Sequence, residues 1–143
     1  MRVHDILERK GRHVTTVAPE TSVLEVAGIL RRQGIGAVVV AAPDGRIAGI
    51  LSERDLVHAL GDDGAALSGR TARELMTERV TTCSPRDDVN DVLRTMTEGR
   101  FRHVPVVEDG ALSAIVSIGD IVKARIEDLE HEKNALHSYV LGG

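Results

Sequence analysis

A Ser-x-x-Asp tetrad directly preceded by two apolar residues occurs twice in this chain. The two stretches are Ile50-Leu51-Ser52-Glu53-Arg54-Asp55 and Ile115-Val116-Ser117-Ile118-Gly119-Asp120. If each tetrad opens a helix, Ser52 and Ser117 are N-caps and Asp55 and Asp120 stand at N3. That spacing serves two kinds of chemistry. As a capping box, the side chains satisfy backbone N–H groups that the first helical turn leaves free. As a recognition corner, the helix start presents N–H donors and positive potential to a phosphate. There the serine hydroxyl can donate to a phosphate oxygen, and a carboxylate one turn in can accept both hydroxyls of a ribose cis-diol. The spacing does not choose between the two.

A second concentration of polar chemistry precedes an apolar run, in Gly99–Val107 (GRFRHVPVV). Arg100, Arg102 and His103 are placed to contact phosphate, and the planar arginine fork donates two hydrogen bonds to one anion. The alternative is that Arg100 and Arg102 solvate a strand end. Phe101, the only phenylalanine, reads as a core anchor. Arg54, beside Asp55, adds a cation at the first corner. Other chemistry is not signalled. The six histidines show no metal-ligand spacing with Cys or carboxylates. The lone Cys83 reads as a small buried hydrophobe, with no base nearby. Without a nucleophile elbow, P-loop or Rossmann glycine motif, an enzyme has no residues to carry it.

The elements that must position these residues are written twice. Val14–Pro19 (VTTVAP) matches Val80–Pro85 (VTTCSP) at an offset of 66, and Val23 and Val26 match Val89 and Val92. Gly45–Val57 then matches Gly110–Val122 at an offset of 65, so one residue has changed within a turn. Each copy predicts β-α-β-β-α. Short strands at 14–17 and 80–83 lead to helices capped by Ser22 and Asp88. Strand pairs follow at 37–41 with 47–51 and at 103–107 with 112–116, around Asp-Gly turn signals. A last helix begins near Ser52 or Ser117. Val3–Leu7 and Thr71–Met76 read as matching helical lead-ins. The expected organisation is a first repeat over 1–60, a linker over 61–70, a second repeat over 71–126 and a helical extension over 127–143. A unit of this size buries little alone, so an α+β fold with one core shared about a pseudo-twofold axis is expected. The tail reads as one helix from Ser117 to Leu141, with Val122, Ile126, Leu129, Leu136 and Val140 at 3-4 spacing interrupted by Lys133. It packs on its own module or crosses to a partner chain.

Composition sets the remaining bounds. With 143 residues, 42% hydrophobic and 1% aromatic, the core must be built from Val, Ile, Leu and Ala. A net charge of −4 argues against a general nucleic-acid binder. No apolar run is long enough to span a membrane, and the charged N-terminus lacks a signal-peptide core. One cysteine fits a reducing, cytoplasmic setting.

The duplicated strand-to-helix corners, with HVPVV upstream, resemble a pair of cystathionine-β-synthase (CBS) domains, and the resemblance covers about residues 1–126. It implies regulatory binding of an adenosine-containing ligand between the repeats: AMP, ADP, ATP, a dinucleotide such as NAD(H), or S-adenosylmethionine. No metal is implied. It assigns phosphate and ribose contacts to Ser52, Asp55, Ser117 and Asp120. The adenine would rest on the lead-ins (Ile6 and Leu7, or Thr71, Leu75 and Met76) and on the strand entries (Gly36 and Ala37, or Arg102 and His103). The first corner carries Arg54 where the second has Gly119, so two inequivalent sites, or one strong and one weak, are expected. The resemblance further implies a homodimer acting on an unknown regulated protein. The rival reading is a ligand-independent dimerisation or interaction module.

Overall fold

The computed structural model describes residues 1–142. Its first repeat runs β1 (Thr16–Val17), α2 (Val23–Gln33), β2 (Ala37–Ala41), β3 (Ile47–Ser52) and α3 (Glu53–Asp63), preceded by α1 (Val3–Lys10). The second runs α5 (Val89–Gly99), β4 (His103–Glu108), β5 (Ala111–Ser117) and α6 (Ile118–Gly142), preceded by the short α4 (Ala72–Leu75). The segment expected as a linker is ordered: α3 continues to Asp63 and a 3₁₀ turn fills Gly64–Gly69, burying Leu67.

Local sequence accounts for the boundaries. The Ser22 hydroxyl accepts from the Glu25 N–H at 3.2 Å, and an Asp88 carboxylate oxygen accepts from the Asn90 N–H at 2.7 Å. Asp109 and Gly110 both take positive φ, 51° and 80°, making the two-residue turn that a twisted hairpin favours. The first repeat needs a longer loop, closed by Ala42 and Arg46 with Gly45 at φ 87°. That loop holds the residue that changes the repeat offset.

In the first repeat β1 runs parallel to β2, which is antiparallel to β3. The second repeat keeps only the β4–β5 hairpin as a sheet. The strand expected at 80–83 is reduced to one parallel bridge, Cys83 to Val106. Proline explains the loss. Val39 N–H donates to the Thr15 carbonyl at 3.1 Å, but its counterpart is Pro105, which has no N–H to offer Thr81. Only the Cys83 N–H to Pro105 carbonyl and Val107 N–H to Cys83 carbonyl bonds remain, at 3.0 and 2.9 Å.

The two halves are tied together by exchanging their lead-ins. Val89 and Val23 N–H donate to the carbonyls of Met1 and Arg70; Val3 and Ala72 donate to Asp87 and Thr21; His4 and Arg73 donate to Pro85 and Pro19. Each bond in one half thus has its counterpart in the other, at 2.8–3.0 Å. The helix that precedes the first repeat docks on the second, and the helix that precedes the second docks on the first. The core divides accordingly. Val3, Ile6 and Leu7 of α1 pack with Val89, Val92, Met96, Val104, Val116 and Ile121. Ala72 of α4 packs with Val26, Leu30, Val38, Val40 and Leu51. The lead-in expected as part of the 1–60 repeat thus packs on the core of the second repeat.

The extended last helix is present. Ile121 and Ala124 are its buried residues, whereas Ile126, Leu129, Leu136 and Val140 are exposed, Leu129 by 64%. Beyond its first two turns, α6 does not pack its apolar stripe on its own module.

Candidate functional site

At the first corner β3 ends on Ser52, one residue past the fully buried Leu51, and Ser52 serves at once as the last strand residue and the N-cap of α3. Ser52 Oγ accepts from the Asp55 N–H at 3.4 Å. Asp55 Oδ2 accepts from the Ser52 N–H and hydroxyl at 2.9 and 3.0 Å. The Glu53 N–H donates to the Gly36 carbonyl at 3.0 Å, pinning the helix start to the entry of β2. The capping reading is realised here, and it also places donors, hydroxyl and carboxylate on the rim of a cavity.

That cavity is an open cleft of about 630 Å³ between the repeats. One wall is Ser52, Arg54, Asp55, Val57 and His58; the facing wall is Gly99 through His103; Thr77, Arg79, Val80 and Thr81 close it between them. Arg54, Arg79, Arg100 and Arg102 outnumber the acids Glu53 and Asp55 around it, a positive site on a negative chain. Arg54 Nη1 reaches across to the Arg100 carbonyl at 3.4 Å. Arg100 adopts the left-handed conformation (φ 58°, ψ 42°) at the end of α5, where the first repeat has Gly34 at φ 63°. A side chain there costs roughly 1 kcal/mol relative to glycine, and it directs a cation into the cleft.

His103 sits between the two corners. A Cβ on Gly36 would lie 2.9 Å from its Nε2, so glycine is what lets the imidazole approach. Burial pulls its pKa below the ordinary value, although Asp120 and Glu53 pull the other way. His103 is therefore a neutral hydrogen-bonding group at neutral pH.

The second corner repeats the caps, but its Ser117, Gly119 and Asp120 do not line this cleft. Asp120 N–H donates to Ser117 Oγ at 3.1 Å and Ser117 N–H to Asp120 Oδ2 at 2.9 Å. The Ile118 N–H donates to the Arg102 carbonyl, as Glu53 does to Gly36. Here, however, Lys10 Nζ donates to Asp120 Oδ2 and to the Ile115 carbonyl, both at 2.7 Å. Burial works to raise the Asp120 carboxyl; Lys10 and the Ser117 N–H outweigh it and hold it below the usual range.

Of the expected site residues, the cleft gathers Gly36, Ser52, Arg54, Asp55, Arg100, Arg102 and His103. Ser117, Gly119 and Asp120 lie outside it, at the second corner. Ile6 and Leu7 are shut in the second core at 2% and 1% exposure, and Ala37 is buried in β2. Leu75 and Met76 pack on the first core, and Thr71 caps α4 through Glu74. Sequence reasoning missed Arg79, Thr77, Val80 and Thr81, which reach the cleft only because α4 docks on the opposite repeat. Val57 and His58 were findable, being one turn beyond Arg54 on the same helix face. Phe101 does pack against the second core, and it also lines the cleft. Cys83 is 7% exposed, and burial, aided by Asp87, pushes its thiol up to about 12, so it stays protonated. Among the described residues no three His, Cys, Asp or Glu side chains converge as a metal cluster.

The family model for the CBS domain matches this chain twice, over residues 3–62 and 72–127. A CBS-domain protein from Agrobacterium tumefaciens, ATU1752, is 49% identical, with a TM-score of 0.85 over 87% of this chain and 99% of that one. The CBS domain pair of protein MJ0100 is 27% identical, with a TM-score of 0.79 over 90% and 98%; it was solved with 5′-methylthioadenosine and S-adenosyl-L-methionine. Among curated relatives, the mitochondrial CBS domain-containing protein CBSX3 of Arabidopsis thaliana is 28% identical over 99% of this chain and 72% of its own length. Methanopyrus kandleri MK0525 is 33% identical over 86% of this chain, which spans 63% of that protein. Two family matches over the two repeats, on a fold shared with solved pairs, make this chain a member of the CBS domain family.

Proposed function

We propose that the protein is a regulatory module that binds a phosphate-bearing adenosyl ligand (AMP, ADP, ATP or NAD(H)) at the Ser52–Asp55 corner and signals by a change of shape to a regulated partner. The carrying observation is the convergence of a helix N-terminus, a free-standing Ser/Asp pair and four arginines on one inter-repeat cleft. In this reading Asp55 accepts the ribose diol. The Ser52 hydroxyl rotates away from Asp55 Oδ2 to donate to phosphate, which the arginines neutralise with charge-assisted hydrogen bonds. Neutral His103 offers a further hydrogen bond, and Ile50, Val57, Val80 and Phe101 supply apolar surface for the base. The adenosyl ligands of MJ0100, on the same fold, support the ligand class. The arginines support a phosphate rather than the sulfonium of S-adenosylmethionine, because a second cation would be repelled.

We place the module in the cytoplasm as a homodimer. The spacing of Val122, Ile126, Leu129, Lys133, Leu136 and Val140 alternates between four and three, the seam of a two-helix pair. A second copy of α6 is the occupant that seam fits, with Lys133 as its single polar position.

Calorimetric titration with AMP and with adenosine tests the ligand assignment. Each charge-assisted bond to phosphate adds roughly 1.5–3 kcal/mol, so AMP should bind at least about tenfold more tightly. Equal affinities, or no heat from AMP, ATP or NAD(H), would refute it.

A further inference from the structure

Lys10 has no role in the proposed nucleotide site, yet its ammonium is held at two points. Its ammonium is bonded at 2.7 Å to both the Ile115 carbonyl and Asp120 Oδ2. Lys10 and Asp120 are about three-quarters enclosed, with side chains 29% and 26% exposed. The counterparts in the first half are engaged quite differently. The Ile50 carbonyl accepts the Thr77 N–H at 2.9 Å, and among the described residues Asp55 bonds only to Ser52. The difference begins in the lead-ins. α4 stops after Leu75, and Met76 turns extended (ψ 153°), so Thr77 lies along β3 as a bridge partner. α1 instead continues through Glu8-Arg9-Lys10, three good helix formers, before Gly11 ends it at φ 89°. That extra turn carries Lys10 onto the second corner. Arg9 adds bonds from the same turn to the Ala124 carbonyl and to Asp128, at 3.0 and 2.6 Å.

We propose that Lys10 is a built-in occupant of the second corner and sets the ligand stoichiometry of the module at one adenosyl ligand per chain. This rests on the nucleotide reading above. A ribose diol needs a carboxylate free to accept two hydroxyls, and Asp120 already accepts an ammonium that is anchored a second time at Ile115. A ligand entering there must break two bonds to a cation, whereas at Asp55 it only redirects a serine hydroxyl. The Arg54 counterpart is Gly119, so the start of α6 supplies no arginine to attract a phosphate in exchange, and the cation beside it, Lys10, is already bonded to Asp120.

The test counts AMP bound per chain by calorimetry in four proteins. The wild type should bind one and Lys10→Met two, with affinity at the second corner raised about ten- to a hundredfold, the worth of the lost charge-assisted bond. Asp55→Asn should bind none with measurable affinity, and the Lys10→Met/Asp55→Asn double variant one, now at the second corner. If Lys10→Met melts below the assay temperature, Lys10→Gln replaces it, removing the charge while keeping a donor for the Ile115 carbonyl. A wild type that binds two, or a folded Lys10 variant that still binds one, overturns the role of Lys10 and leaves the nucleotide reading standing. No binding to any of the four proteins overturns the nucleotide reading, and this inference with it.

Discussion

Replacing Asp55 and Asp120 by Asn separately should produce opposite patterns, because the two carboxylates cap alike but differ in what else they hold. Asn keeps the size and an acceptor oxygen and loses the charge. At Asp55 the lost interactions are those of an N3 carboxylate with Ser52 and the helix start, roughly 0.5–1 kcal/mol. At Asp120 the substitution also strands the partly enclosed Lys10 ammonium, so the loss rises to about 2 kcal/mol. A chain of 143 residues unfolds with an entropy of about 0.3 kcal/mol/K. The apo melting temperature should therefore fall by about 2–3 °C in Asp55→Asn and about 7 °C in Asp120→Asn. AMP at about a hundred times its Kd adds about 2.7 kcal/mol, a shift of about 9 °C. Asp120→Asn should keep that shift and Asp55→Asn should lose most of it. Differential scanning fluorimetry with and without AMP reads both quantities. An Asp55→Asn protein that keeps the full shift would show that this corner is only a cap, and equal apo losses would remove the energetic role given to Lys10.

Arg100→Gly should raise the apo melting temperature by about 2–3 °C by relieving left-handed strain of roughly 1 kcal/mol, while narrowing the preference for AMP over adenosine; a lower melting temperature would contradict the strain. The folded-state pKa of His103 lies below its unfolded value near 6.5, so the stability tied to its neutral form is complete above that pH and declines as acid is added. Urea midpoints should fall between pH 7.5 and 5.5, and fall less in His103→Gln; an identical fall would assign the acid sensitivity elsewhere. Leu129→Glu, in the middle of the exposed α6 stripe, should convert a dimer of twice the 15.4 kDa chain mass into a monomer by light scattering, without lowering the melting temperature of the module itself. A wild type that is monomeric at micromolar concentration would remove the α6 seam from the account.

Much of the fold is legible in the chain because its signals are local and occur twice. The valine-rich runs, the Asp-Gly turns, the Ser22 and Asp88 caps and the two Ser-x-x-Asp corners each depend on a few neighbouring residues, and each reappears at an offset of 65 or 66. The structure follows most of them, absorbing the one-residue change in the Ala42–Arg46 loop, while the strand expected at 80–83 shrinks to a single bridge. Pro105 was legible as a residue and not as a consequence: its missing N–H matters only opposite Thr81, a strand away.

What the tertiary structure alone decided is which residues meet. Lead-ins that look alike in sequence, Val3–Leu7 and Thr71–Met76, each cross to the other repeat, and contacts between residues far apart in sequence leave no period to read. That crossing buries Ile6 and Leu7, which a same-side docking would have left beside a ligand, and brings Arg79 and Thr77 into the cleft. It also turns two matching corners into unlike ones. The same Ser/Asp geometry is open where α4 ends early and closed by an ammonium where α1 runs one turn further, because a carboxylate's availability depends on its nearest cation and not on its own motif.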